Sequence, residues 1–105
     1  MDALDKTFTA LSDSRRRAIL AGLHEREMSF SEIAEPFGMT QTGVTRHINI
    51  LKNADLVRVS KKGRTRYCQL NADPMREAID WLKHYEGFWT GILGHLAEQF
   101  EDKTE

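Results

Sequence analysis

The strongest constraint in this sequence is the punctuation between Ser29 and Leu70, where a helical hydrophobic period gives way to an alternating one. Ser29 and Glu32 have the Ser-x-x-Glu spacing of a capping box, in which each side chain takes the other residue's backbone N–H, and Met28 and Ile33 stand at the two positions of a hydrophobic staple. They open a short helix that runs to about Phe37; Ser31 is an alternative cap, with Met28 to Phe30 extended. Gly38 supplies a turn, and Thr40 caps the next helix with Met39 and Val44 again at staple positions. In that helix Val44, Ile48 and Leu51 form the inner face, and Gln41, Thr42, Thr45, Arg46 and Asn49 point elsewhere. After Ala54-Asp55, the β positions Val57, Val59, Tyr67 and Leu70 flank a charged, glycine-containing turn, Lys61-Lys62-Gly63-Arg64-Thr65.

Helices lie on both sides of this unit. Leu4, Phe8 and Leu11 make an amphipathic stripe, and Asp13 can cap a second helix whose buried face is Ile19, Leu20 and Leu23. Arg15, Arg16 and Arg17 fall in its first turn, where the helix dipole disfavours cations, so these side chains need another use or a carboxylate neighbour. Asp73 as cap and Pro74 at the first helical position open a long last helix with apolar residues from Met75 to Phe100 at three- and four-residue spacing. Its face, with Trp81, Tyr85, Phe88, Trp89, Ile92 and Leu96, is too wide and aromatic for one small chain to cover. A second copy, meeting it there and at Leu4 and Phe8, is the expected cover; the alternative is that Leu4, Phe8 and the second helix of the same chain cover it.

Helix, turn, helix and basic hairpin make a winged helix-turn-helix, mainly α with a small β-hairpin, in one domain spanning residues 1–105. Seven glycines and two prolines leave no room for a long linker. The net charge of −1 conceals a sharp asymmetry: residues 41–70 carry seven Lys and Arg against Asp55 alone, while both flanks are acidic. A basic middle of this kind points to a polyanion. A helix about 10 Å wide fits the major groove of B-DNA, and short polar side chains let it approach the base edges. Gln41, Thr42, Thr45 and Arg46, with His47 beside them, are the candidate readers, and Lys61, Lys62, Arg64 and Arg66 on the wing suit phosphates or the minor groove. A winged-helix dimer used only for protein contacts is the alternative. It gives no reason for cations at the hairpin tip together with short polar groups on the helix.

The stretches Ala10 to Leu20, Phe30 to Thr40 and Val44 to Ile48, with Leu56-Val57, Gly63-Arg64 and Tyr67, resemble the ArsR/SmtB winged-helix repressors, in particular the branch without the usual metal motif. The resemblance implies a homodimer joined through the first and last helices that represses transcription from an inverted repeat. It places Thr45-Arg46-His47 on the recognition helix as the family's Ser/Thr-x-His pattern. Two departures stand out: Asp55 occupies a position where the family often has glycine, and Phe30 to Glu35 lacks the Cys-x-Cys of the arsenic and cadmium sensors. Zinc-sensing members use Asp-x-His and His-x-x-Glu on the last helix; His84, His95 and Glu98 match three of these places, but Leu82 stands where the aspartate belongs. The expectation is therefore no metal cofactor, with zinc at His84, His95 and Glu98 as the alternative.

No Gly-rich phosphate loop, serine nucleophile elbow or His-Glu-x-x-His is present, so the chain is not read as an enzyme. Cys68 cannot pair within the chain and reads as a packed small hydrophobe. No apolar run approaches the roughly 20 residues of a membrane span and the N-terminus has no signal pattern, so a cytoplasmic protein without a membrane partner is expected. The operator, the regulated genes and any effector are not legible.

Overall fold

The computed structural model describes residues 1–92. The chain runs α1 (Ala3–Leu11), α2 (Ser14–Glu25), β1 (Met28–Ser29), α3 (Phe30–Ala34), α4 (Gln41–Asn53), β2 (Val57–Lys62), β3 (Thr65–Leu70) and α5 (Asp73–Leu82). Single 3-10 turns follow α3 at Glu35–Phe37 and α5 at Lys83–Tyr85, and residues 86–92 are helical again. This is the winged helix-turn-helix that the punctuation predicts.

Each stop and start in the central unit has a local cause. Ser29 Oγ accepts from the Glu32 N–H at 3.2 Å and Glu32 returns the bond to the Ser29 N–H at 3.0 Å, closing the capping box that opens α3. The alternative cap at Ser31 is not used, since Phe30 and Ser31 are already helical; of the stretch it would have left extended only Met28 and Ser29 are strand, paired with Cys68 and Tyr67 on β3. Gly38 (φ 60°) and Asp55 (φ 59°) both take the left-handed conformation just past a helical segment. After α4 the Leu56 N–H reaches the Leu51 carbonyl at 3.0 Å and the Asp55 N–H reaches that of Lys52 at 2.9 Å, the two bonds of a Schellman stop.

β3 is the centre of a three-stranded antiparallel sheet, flanked by β1 and β2. The register runs from Val57 opposite Leu70 to Lys62 opposite Thr65, so the hairpin turn is only Gly63-Arg64, tighter than the five-residue turn suggested by sequence. Gly63 (φ 64°) occupies the first turn position, where a two-residue II′ turn needs glycine. The core lies between the sheet and the helices: Ile19, Leu20 and Leu23 of α2, Ile33 of α3, Val44, Ile48 and Leu51 of α4, and Val57 and Cys68 of the hairpin.

The terminal helices add detail that the sequence reading lacks, and the last one departs from it. On α1 the buried residues are Thr7 and Ala10; Leu4 and Leu11 are half-buried and Phe8 is exposed. Small residues let α1 lie close to α5, α2 and α4, and Thr7 satisfies its hydroxyl on the Ala3 carbonyl at 3.1 Å. Phe8 is left to meet Trp81 edge-on, ring centroids 5.8 Å apart. Asp73 is not the cap of α5. Ala72 holds that place without a side-chain bond and Pro74 is second, because Asn71 shapes the entry by donating to the Asp55 carbonyl at 2.7 Å and accepting from the Asp73 N–H at 3.5 Å. Nor is the last helix continuous. His84 Nδ1 lies 2.8 Å from the Trp81 carbonyl, competing for an acceptor within the 3-10 turn that interrupts it.

Candidate nucleic-acid interface

The outer face of α4 is a shallow groove lined by Gln41, Thr42, Thr45 and Arg46, the predicted readers, and continued by Asn49, Ile50 and Asn53. The helix start is fixed by Thr40 Oγ1, which accepts from the Gly43 N–H at 3.1 Å. Asn49 and Asn53 were legible by the same spacing that singles out Thr42 and Arg46, since all four recur at three and four residues.

Wing and helix share a second cleft, lined by Phe30, Ser31, Gln41, Arg64, Thr65 and Arg66. Within it the Gln41 amide donates to Ser31 Oγ at 3.4 Å, and the Arg66 guanidinium lies 4.2 Å from the centroid of the Phe30 ring. The ring positions the cation by cation–π attraction while leaving its N–H groups available. Strand alternation divides the remaining wing cations. Lys61 is the cross-strand partner of Arg66 and shares the face of Val57 and Cys68, whereas Lys62 projects to the other side. There Lys62 Nζ lies 3.4 Å from the Glu27 carboxylate and 5.0 Å from the centroid of the Tyr67 ring. Among the described residues, Lys61, Arg64 and Arg66 form no ion pair and Lys62 does.

His47 lies outside both clefts. At 100° per residue it is turned from Arg46 toward the buried face, and it is half-buried. Its Nδ1 lies 3.3 Å from Nη1 of Arg16. Arg16 is only 8% exposed and is fully occupied: Nε donates to the Ala10 carbonyl at 2.8 Å, Nη2 to that of Thr9 at 3.1 Å, and Nη1 also lies 3.8 Å from the Asp13 carboxylate. Arg17 donates to the Leu11 carbonyl at 2.7 Å. These bonds are the use that the basic first turn of α2 required: two arginines cap the last carbonyls of α1 and tie it to α2 and α4. At Asp13 desolvation works to raise the carboxyl, but the N–H groups of Arg15 and Arg16, the charge of Arg16 and that of the His47 ring whenever it is protonated hold it below its ordinary value.

On α5 and the residues that follow it, Ile79, Trp81, Leu82, Tyr85, Phe88, Trp89 and Ile92 are 41–63% exposed and form an aromatic and aliphatic face. Leu96 lies outside the described residues, as do His95 and Glu98. No group of three His, Cys, Asp or Glu that could hold a metal occurs among the described residues. Leu82 offers no donor, and His84 commits Nδ1 to the Trp81 carbonyl. Cys68 is fully buried, and burial pushes its thiol up to about 11, which suppresses the thiolate. No helix among the described residues is long and apolar enough to cross a membrane.

Comparison with known proteins fits this geometry. A family described as a helix-turn-helix domain matches residues 11–60. The transcriptional repressor SdpR of Bacillus subtilis is 33% identical over 82 residues, covering 78% of this chain and 91% of that protein. The HTH-type transcriptional regulator KmtR of Mycobacterium tuberculosis is 34% identical over 91 residues, covering 86% and 70%. Among solved structures, the ArsR family transcriptional regulator RHA00566 superposes with a TM-score of 0.76 at 33% identity, covering 83% of this chain and 90% of that one.

Proposed function

As the chain belongs to the ArsR family of helix-turn-helix transcriptional regulators and is a DNA-binding regulator rather than an enzyme, we propose that it is a homodimeric repressor of an inverted-repeat operator. The observation that carries this reading is the shared cleft of Gln41, Arg64 and Arg66, through which the polar face of α4 and the basic wing become one surface. In each half-site α4 enters the major groove, with Gln41, Thr42, Thr45, Arg46 and Asn49 toward base edges, and Lys61, Arg64 and Arg66 meet the flanking backbone. The uncovered face from Ile79 to Ile92, with Phe8, is closed by a second copy, which sets the half-site spacing. The whole chain acts as one domain in the cytoplasm.

A footprint on the DNA upstream of the chain's own gene tests the reading. Two protected half-sites about one helical turn apart, centred on an inverted repeat, support it; an unprotected region or a single half-site refutes it. The reading includes no regulatory metal. Micromolar zinc therefore leaves operator affinity unchanged, and a coupling of about 1 kcal/mol or more that is lost in His95→Ala would refute that part.

A further inference from the structure

Arg16 and His47 form a contact that DNA reading by α4 does not by itself require. A guanidinium has only donors, so at 3.3 Å its Nη1 can be satisfied by His47 only if Nδ1 carries a lone pair. The neutral ring must then hold its proton on Nε2. Protonation of Nδ1 would set an N–H against a buried guanidinium that cannot retreat, because its Nε and Nη2 are held by the Ala10 and Thr9 carbonyls at 2.8 and 3.1 Å. The charged side chains beside the ring are Arg16 and Asp13, both from α2; α1 contributes the two backbone carbonyls to this cluster. Among the described residues no buried side-chain polar atom lacks a partner and Nε2 makes no bond, so among them Nε2 is not enclosed.

We propose that Arg16 is a positioning residue of the DNA interface: it fixes His47 as the neutral Nε2–H tautomer and presents that N–H as an uncharged donor to a DNA backbone phosphate. The inference rests on α4 being the DNA-facing helix. His47 lies on the flank of the helix between the outer groove and the buried face, where the backbone of a groove-bound duplex passes rather than its base edges. Because Arg16 also holds the end of α1, the donor is aimed by the same side chain that fixes the first helix to the recognition helix.

Two measurements test it. Nitrogen-15 correlation spectra of the free chain at about pH 8, above the range in which histidines ordinarily titrate, read the tautomer without DNA. They should show His47 protonated on Nε2, and Arg16→Lys should shift it toward a mixture. A mixture in the wild type, or no change in Arg16→Lys, overturns the role of Arg16. Binding of His47→Asn to operator and random duplexes across a salt series reads the donor. The Asn side-chain oxygen can still accept from Arg16, so melting is preserved, but nothing replaces Nε2–H. Affinity for both DNAs should fall roughly tenfold per subunit while the log-log salt slope stays unchanged, because a neutral donor releases no counterion. Unchanged affinity refutes the phosphate contact; a slope reduced by about 0.9 per subunit shows that His47 binds as a cation and refutes the fixed neutral tautomer. A wild-type chain that binds no duplex refutes the DNA-facing assignment of α4 instead, whatever the tautomer.

Discussion

The wing offers the sharpest quantitative test, because the structure separates cations that sequence treats as equivalent. Arg64 sits in the two-residue turn and makes no ion pair among the described residues, whereas Lys62 faces away from α4 and is matched by Glu27 at 3.4 Å. Each phosphate contact contributes about 0.9 to the magnitude of the log-log salt slope. At about 0.15 M salt one lost contact therefore costs about 0.7 of a decade, and two in a dimer about 1.5 decades, or roughly 2 kcal/mol. Arg64→Ala should weaken operator and random DNA alike, by roughly thirtyfold, and flatten the slope by nearly two units. Lys62→Ala should change the slope by much less, since its charge is already compensated within the chain. Fluorescence anisotropy on both duplexes from about 50 to 300 mM salt decides the matter. A Lys62→Ala slope as flat as that of Arg64→Ala would show that Glu27 does not hold Lys62, and an unchanged Arg64→Ala slope would remove the wing from the backbone contact.

The exposed face of the last helix predicts that Trp89→Glu sediments as a monomer and loses operator binding while keeping its helical content; a monomeric wild type would refute the dimer. The Glu32 carboxylate accepts from the Ser29 backbone and from Arg26 at 2.7 Å, which lowers its pKa from 4.5 to about 2. A folded value below the ordinary one means that the stabilisation is present above pH 4.5 and is lost as pH falls toward 2. The melting difference between wild type and Glu32→Gln should shrink over that window, and a difference constant with pH would refute the assignment. Asp55 holds φ 59° without being glycine, so Asp55→Gly should stabilise the chain by up to about 1 kcal/mol in urea unfolding; a loss of stability would mean that its carboxylate contributes more than the strain.

The legible parts of this fold are those with a local cause. Ser29, Glu32, Gly38, Thr40 and Asp55 each act within six residues of themselves, and the structure keeps every one of these stops and starts. The inner face of α4 was equally plain because Val44, Ile48 and Leu51 repeat on an unbroken helix. Less legible were the small residues that a helix buries and the continuity of a helix across a sustained period. On α1 the period marks Leu4, Phe8 and Leu11 as a stripe in need of a partner but is silent on Thr7 and Ala10, the residues that α1 buries within the chain. On the last helix the three- and four-residue repeat persists across Lys83–Tyr85 although the α-helical hydrogen bonding does not.

The candidate site divides along the same line. Residue type and helix phase were enough to find Gln41, Thr42, Thr45 and Arg46, but not to distinguish Lys62 from Arg64, because that depends on Glu27, thirty-five residues away in sequence. The same holds for Arg16. Sequence shows an arginine in an unfavourable first turn, which establishes that a partner is needed and leaves its identity open. The partner is His47, thirty-one residues on, together with two carbonyls that α1 cannot satisfy alone. A local electrostatic misfit in the sequence was thus the mark of a long-range contact in the structure. In this chain the misfit lies where the first helix, the second helix and the DNA-facing helix are joined by one buried side chain.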